Sequence, residues 1–438
     1  MEATTRRLSL KANEVSSWTP DSLFQEKDGV RRSAWPMLPC LLAVLFLALL
    51  GMHIWPSGRS LLWGDPLRAW DPHVKVAGLA VTHNIKPEAK APQKRVHIFV
   101  CTDEYDLRPL AVLINSTISN AMHPDRLHFH MVMPADRLFT RKYLKYLFPK
   151  AHIEMASISK FIDIHEVNKH ITFRNDSGAR KELISPYNFL PFYLPEVYKD
   201  IDRFIYLDSD IVVKGNIENL YNTDLEGNAA AAVEDCSQRF AIYFDFAQLD
   251  EIQAREGLDR PAWLPPEPFD PKACVFNRGV LVVDSKRWIE ENITSAIIWW
   301  MDEFQKSERN LYKAGLSQPP FLLALYGKHK VLDGMWNVRG LGRPNLSELE
   351  REYFFNTFSM NYTRKPFVSP FADTAHILHF NGAYKPWKGK RKREITDDIV
   401  SLCGRKERGL ECAELWWEYL SPTANDFLKP FAKKTTSE

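Results

Sequence analysis

From Arg95 to Asp284 the chain alternates short apolar runs with segments of helical period. Val96-His97-Ile98-Phe99-Val100-Cys101-Thr102-Asp103 reads as a buried strand ending in a polar tip, and Leu107 to Met122 carries apolar residues at helical spacing. Leu127 to Met133 predicts a second strand, Thr140 to Leu147 a helix, and Ile153-Glu154-Met155 a third strand. Leu183 to Tyr198 predicts a helix leading into the strand Phe204-Ile205-Tyr206-Leu207-Asp208. Ala229 to Val233 and Val275 to Asp284 predict further strands, and Ser295 to Lys306 a helix. Strands alternating with helices imply right-handed crossovers. The fold class is therefore α/β, Rossmann-like, with a mostly parallel central sheet and helices on both faces.

Ahead of this pattern, Met37 to Trp55 contains no Asp, Glu, Lys or Arg and is nearly long enough to cross about 30 Å of hydrocarbon as a helix. Trp35 and Trp55 flank it as interfacial anchors. Lys27, Arg31 and Arg32 precede it, so the positive-inside rule leaves residues 1–36 in the cytosol and makes 37–55 a type II signal anchor. A cleaved signal peptide is the alternative, and either delivers the rest to the secretory pathway. Residues 56–93 read as a stem, 94–425 as the folded domain and 426–438 as a flexible tail.

Five Asn-x-Ser/Thr sequons follow the anchor, at Asn115, Asn175, Asn292, Asn345 and Asn361, which agrees with lumenal exposure. Cys40 falls in the span, leaving Cys101, Cys236, Cys274, Cys403 and Cys412, which cannot all pair. Cys403 with Cys412 would close a short loop and Cys236 with Cys274 a longer one, with Cys101 left as a buried thiol. No Cys-x-x-Cys spacing occurs, so a zinc site is not expected.

A chain of 438 residues with 45% apolar content buries one large core or two ordinary ones. A formal net charge of +2 gives no reason to expect a nucleic-acid partner.

The chemistry gathers at two places. Asp208-Ser209-Asp210 ends an apolar strand, where open α/β sheets collect ligands, and Thr102-Asp103 ends another. Far downstream, His379-Phe-Asn-Gly382-Ala-Tyr-Lys385-Pro-Trp387 supplies an imidazole, a glycine for close backbone approach and a lysine for a leaving diphosphate. Two carboxylates with one imidazole suit manganese or magnesium, and such an ion bridging phosphate oxygens holds a nucleotide-sugar. Glu234, Asp235, Asn277 and Gly279 are further candidates for donor contacts. Each has a plainer reading: a helix cap for Thr102 and Asp103, a surface loop for Glu234 and Asp235, a bulge for Asn277 and Gly279. Trp299-Trp300 and Trp416-Trp417 fit core packing better than sugar stacking.

In order along the chain, Thr-Asp after the first strand, Leu-Asp-x-Asp, Ala-Ala-Ala-Val-Glu-Asp-Cys, Phe-Asn-x-Gly-Val and His-x-x-Gly-x-x-Lys-Pro-Trp resemble glycosyltransferase family 8. The match runs from about Val96 to Trp387. Pro319-Pro320 and Met335 to Gly342 resemble the animal glycosyltransferase 8 domain-containing and plant galacturonosyltransferase-like subgroups. The resemblance implies a GT-A fold, a UDP-sugar donor, manganese, and hexosyltransferase-type transfer with retention onto a glycan or glycoconjugate hydroxyl. It implies Asp208, Asp210 and His379 as metal ligands, with Gly382 and Lys385 on the diphosphate. Thr102 and Asp103 would meet the uridine, and Asn277 with Glu234 or Asp235 the sugar; Ser209 and Gly279 complete the donor surface. Gln318 aligns with a glutamine near the anomeric carbon in bacterial members. A Golgi membrane protein with a lumenal catalytic domain, alone or in an oligomer, is the matching setting, with the endoplasmic reticulum as the other.

Two positions depart from the family pattern: Gln318, a glutamine that the closer subgroups often lack, and position 191. Relatives read Asn-x-x-Arg-Phe-Tyr-Leu-Pro with the arginine facing the donor, whereas this chain has Pro191 there, a residue that costs about 3 kcal/mol inside a helix. That departure supports the competing reading, a lumenal UDP-sugar-binding or scaffold protein with little turnover. A metal-dependent phosphohydrolase would need more carboxylates or histidines around the ion.

Overall fold

The computed structural model describes residues 94–160, 162–163, 167, 169, 185–255, 260–307, 311–343, 346–359, 371–388, 403 and 412–432. The anchor expected at Met37 to Trp55 and the stem lie outside these residues. Among the described residues no helix is long and apolar enough to cross a membrane.

The predicted strands form with small shifts of boundary. They are β1 (Val96–Cys101), β2 (Leu127–Val132), β3 (His152–Ala156), β4 (Arg203–Leu207), β5 (Ile211–Val213), β6 (Ala230–Arg239), β7 (Cys274–Asp284), β8 (His329–Leu332) and β9 (Ile377–His379). Seven of them build one sheet in the order β3-β2-β1-β4-β7-β6-β8, and β5 pairs with β9 separately. Within the large sheet β7 alone is reversed, running antiparallel to both β4 and β6. The rest is parallel, as the alternation of strands and helices predicts.

Side chains of successive strand residues enter opposite faces, and the two faces have different cores. Ile98, Val100, Ile205, Leu207, Val280 and Val282 pack on the aliphatic side against α1 (Arg108–Asn120), α2 (Arg141–Leu147) and residues 412–428. Phe99, Phe204, Tyr206, Leu281 and Val283 face an aromatic side with α3 (Ile293–Lys306) and α4 (Gln318–Ala324). Fully burying such a side chain contributes about 1.5–3 kcal/mol. Trp300 and Trp416 are fully buried in these cores, as the packing reading of the tryptophan pairs requires.

Three expectations are corrected. The helix predicted over Leu183 to Tyr198 is instead a pair of 3-10 turns, Pro186–Asn188 and Leu190–Tyr193, followed by the single α-turn Leu194–Val197. Pro186, Pro191 and Pro195 each remove a backbone donor, so no continuous helix propagates; residues 183–184 lie outside the description. Pro191 sits in the first turn of its element, where a missing donor costs little. The strand predicted to end at Val233 continues to Arg239, so Glu234 and Asp235 belong to β6 and not to a surface loop. The tail expected from residue 426 is helical to Ala432, in α7 (Pro422–Ala432), which follows α6 (Cys412–Glu418). Asn115 is 5% exposed, its Nδ2 donating to the Tyr419 carbonyl at 3.0 Å, so that sequon is closed to a glycan in the folded protein.

Asn292 is exposed. Asn175, Asn345 and Asn361 lie outside the described residues. Both suggested disulfides form, Cys236–Cys274 and Cys403–Cys412, and Cys101 remains a buried thiol.

Candidate metal and donor site

β1 and β4 are parallel neighbours, with Phe99 opposite Tyr206, so their carboxyl ends share one edge of the sheet. That edge carries Thr102-Asp103 and Asp208-Ser209-Asp210. After the aspartates the chain enters β5, which pairs antiparallel with β9 so that Ile211 lies opposite His379. The Phe380 amide donates to the Asp210 carbonyl at 2.9 Å and locks the register.

Three ligand-type side chains therefore converge. His379 Nε2 lies 3.1 Å from Asp210 Oδ1 and 3.6 Å from Asp208 Oδ2. His379 is fully buried, and Nε2 has no hydrogen-bond partner. Its other nitrogen, Nδ1, is 3.0 Å from Asn337 Oδ1, which fixes the ring by accepting the Nδ1 proton and leaves the Nε2 lone pair toward the carboxylates. Asn337 Nδ2 in turn donates to Asn277 Oδ1 at 3.3 Å, and the Gly279 amide donates to the same oxygen at 2.9 Å. Two oxygens and one imidazole nitrogen, one of them a buried atom without a partner, fit a divalent cation such as manganese or magnesium. The other cluster of ligand types among the described residues, Glu234 with Cys236 and Cys274, has its thiols spent in a disulfide.

Gly279 is a steric requirement of this arrangement. A Cβ there would stand 2.3 Å from His379 Cε1 and 2.7 Å from Asp208 Oδ2. The bulge reading of Asn277 and Gly279 is thus too modest: both shape the ligand set.

Lys385 Nζ pairs with Asp210 Oδ2 and donates to the Phe380 carbonyl at 2.9 Å. Burial alone would raise the Asp210 carboxyl, but the Lys385 ammonium beside it brings it well below the usual carboxylate range. Asp208 Oδ1 accepts from the Tyr206 hydroxyl at 2.8 Å, and burial with the Asp208 charge pushes that phenol well above its ordinary value.

The remaining candidates take varied positions. Ser209 is half-buried between the two aspartates. Thr102 is buried, its Oγ1 accepting from the Glu104 amide at 3.1 Å, while Asp103 Oδ2 accepts from Ser185 Oγ at 2.5 Å. Neither caps α1, whose first turn has no side-chain cap. Glu234 Oε1 is 3.2 Å from His329 Nε2, and Asp235 pairs with Arg339. Both acids line a cavity of about 120 Å3 together with Asn337, so they open toward the residue that orients His379. Gly382 has φ +127°, and a Cβ there would meet the Gly342 carbonyl oxygen at 2.2 Å; the close approach it permits is to the fold's own loop. Gln318 is committed to β7, donating to the Phe276 carbonyl and accepting from the Arg278 amide at 3.5 Å.

Residues 97–391 match the family model of glycosyl transferase family 8. The chain belongs to glycosyl transferase family 8. Hexosyltransferase GAUT11 of Arabidopsis thaliana is 29% identical over 300 residues, covering 63% of this chain and 50% of the plant protein. Glycosyltransferase 8 domain-containing protein 2 of Bos taurus is 27% identical over 330 residues, covering 71% of this chain and 83% of the bovine one. The chain thus spans half the length of the plant relative and most of the bovine one. The solved apo structure of the bifunctional glycosyltransferase WbbM superposes with a TM-score of 0.50 at 17% identity, covering 79% of this chain and 52% of that one. The shared fold is of the GT-A-like α/β type, as the sequence motifs imply.

Two residues of this family 8 site escape sequence reasoning. Asn337 has no role legible from its neighbourhood, because its partner His379 is 42 residues away and is met only in the folded chain. Arg278 carries a signal in the sequence: it is a charge inside a mostly apolar strand, Val275 to Val283.

Proposed function

We propose that this protein is a metal-dependent, retaining glycosyltransferase that moves a hexose or uronic acid from a UDP-sugar to a hydroxyl of a glycan or glycoconjugate. The observation that supports it is His379 Nε2, a buried nitrogen without a partner, faced by carboxylates of two residues 169 and 171 positions upstream. The plant relatives, named as a hexosyltransferase and a probable galacturonosyltransferase, support the sugar class.

Asp208, Asp210 and His379 would hold the cation, which supplies neutralisation of charge on the departing diphosphate. Lys385 brings an ammonium to the same edge, positioned by Asp210 and the Phe380 carbonyl. Charge stabilisation of this kind strengthens as the glycosidic oxygen of the donor becomes an anion, so it lowers the barrier rather than merely tightening binding. Thr102 and Asp103, at the neighbouring strand end, are assigned to the uridine. Retention of configuration follows the family resemblance. The signal anchor at Met37 to Trp55 places the catalytic domain, residues 94–425 extended to Ala432, in the Golgi lumen in this reading.

The test uses the full-length chain in detergent with a panel of UDP-sugars. A donor at a hundredfold its dissociation constant should stabilise the protein by about 2.7 kcal/mol, in the presence of manganese and not after chelation. No thermal shift with any UDP-sugar under either condition overturns the proposal. Stabilisation without turnover on any acceptor or water selects the scaffold reading.

A further inference from the structure

Arg278 is the one side chain of the Asn277-Arg278-Gly279 segment whose polar end is not spent on the metal ligands or on its own strand. Asn277 Oδ1 is used by Asn337 and by the Gly279 amide, and Gly279 has no side chain. The Arg278 side chain is 10% exposed, and its guanidinium is held at two corners: Nε donates to Ser317 Oγ at 3.0 Å and Nη2 to Asn188 Oδ1 at 3.3 Å. The third corner, Nη1, is buried without a hydrogen-bond partner and stands 3.8 Å from Asp208 Oδ1, in the range of an ion pair but beyond that of a hydrogen bond.

A buried N–H without an acceptor is costly, and a guanidinium clamped at two corners gives up little further entropy when the third binds. Tethering by Ser317 and Asn188 thus presents one charged donor group in a set position beside Asp208. The Arg278 amide, meanwhile, donates to Gln318 Oε1 at 3.5 Å. Lys385 approaches the aspartate pair through Asp210, not Asp208. The two cations therefore serve different aspartates.

We propose that Arg278 Nη1 donates to an oxygen of the donor's glycosyl unit, making Arg278 the residue that distinguishes a UDP-sugar from UDP. The inference rests on the UDP-sugar reading above. Asn188, which anchors the guanidinium, ends the 3-10 turn just before the one that carries Pro191, so Arg278 supplies from β7 a positive charge that this segment lacks in its own sequence.

Calorimetry on the full-length protein with manganese tests this, using UDP and UDP-glucose, UDP-galactose and UDP-galacturonic acid as probes. UDP alone reads the nucleotide and metal site, so it separates failure of the site from failure of the arginine. Arg278→Gln is expected to bind UDP within about twofold of wild type and to weaken the preferred UDP-sugar about tenfold or more, a loss of one strong charge-assisted hydrogen bond. Arg278→Lys keeps the charge but not the fork, and should fall between the two. Unchanged UDP affinity also certifies that the variants fold. Equal UDP-sugar affinity in wild type and Arg278→Gln overturns the proposal, as does an equal weakening of UDP and UDP-sugar, which would move the arginine to the nucleotide. A wild type that binds neither UDP nor any UDP-sugar overturns the donor-site reading and this inference together.

Discussion

Asp210 and His379 meet because Ile211, the residue after the aspartate, pairs with His379 across the antiparallel β5–β9 ladder. A three-residue strand thus carries an imidazole to within 3.1 Å of a carboxylate oxygen 169 positions upstream. Main-chain pairing, not side-chain attraction, sets that distance, so the arrangement should survive removal of either charge.

His379→Ala is accordingly expected to leave the fold in place while weakening manganese at least about a hundredfold, since one of the three proposed ligands is lost. Asp210→Asn should do the same and also leave the Lys385 ammonium without its counter-charge. Manganese titration followed by calorimetry, with circular dichroism as the control for folding, checks both. Unaltered manganese affinity in either variant would break the assignment of the site.

Gly279→Ala probes the same site without touching a ligand. The added methyl would stand 2.3 Å from His379 Cε1 and 2.7 Å from Asp208 Oδ2, distances no real Cβ tolerates, so the imidazole or the carboxylate must move. Overpacking of this kind costs about 1–3 kcal/mol. The expected result is a modest fall in the denaturation midpoint with a disproportionate loss of metal-dependent UDP binding.

How much of this was legible in the sequence depends on the reach of each interaction. The sheet strands were, because Val96 to Cys101, broken only by His97, and Phe204 to Leu207 are apolar runs of the kind a doubly covered sheet buries. The reversal of β7 was not, because an apolar run reads the same in either direction. β8 and β9 are four and three residues long and show no period of their own. The polar half of β6, Glu234 to Arg239, lacks the apolar residues by which a strand is recognised, and its continuation rests on pairing with β7 and on the Cys236–Cys274 bridge. The aspartates, His379 and Lys385 were nameable from their motifs. The chain from Asn277 through Asn337 to His379 Nδ1 was not, because each link joins residues tens of positions apart.

Glu350 should shape the acid stability of the loop that backs His379. The residue lies in α5 (Glu348–Phe358), where it completes a capping box with Ser347 and takes two contacts from the Arg343 guanidinium. Burial by itself would raise its carboxyl, but those hydrogen bonds and the Arg343 charge lower it from 4.5 to about 2. A folded-state value below the unfolded one means that the stabilisation is present above about pH 4.5 and is lost as pH falls toward 2. The shift corresponds to on the order of 3 kcal/mol. Glu350→Gln is therefore expected to lower the urea midpoint clearly at pH 6 and hardly at all near pH 2. A gap between the two proteins that is the same at both pH values would rule out this linkage.

The C-terminal segment offers the sharpest test of where the folded domain ends. Leu428 is fully buried against the aliphatic core, and Tyr143 stacks edge-on to Phe431 with ring centroids 4.7 Å apart. Arg108 Nη1, at the start of α1, donates to Asn425 Oδ1 at 3.3 Å, so α7 is tied to the helix that follows β1 and its Thr102-Asp103 tip. Leu428→Ala should cost about 2–5 kcal/mol, the range for emptying a buried leucine site. Ending the chain after residue 425 removes Leu428 and Phe431 together and should cost more, whereas ending it after Ala432 should leave the denaturation midpoint where it was. If the two truncations proved equally stable, α7 would be an ornament on the domain and not part of it.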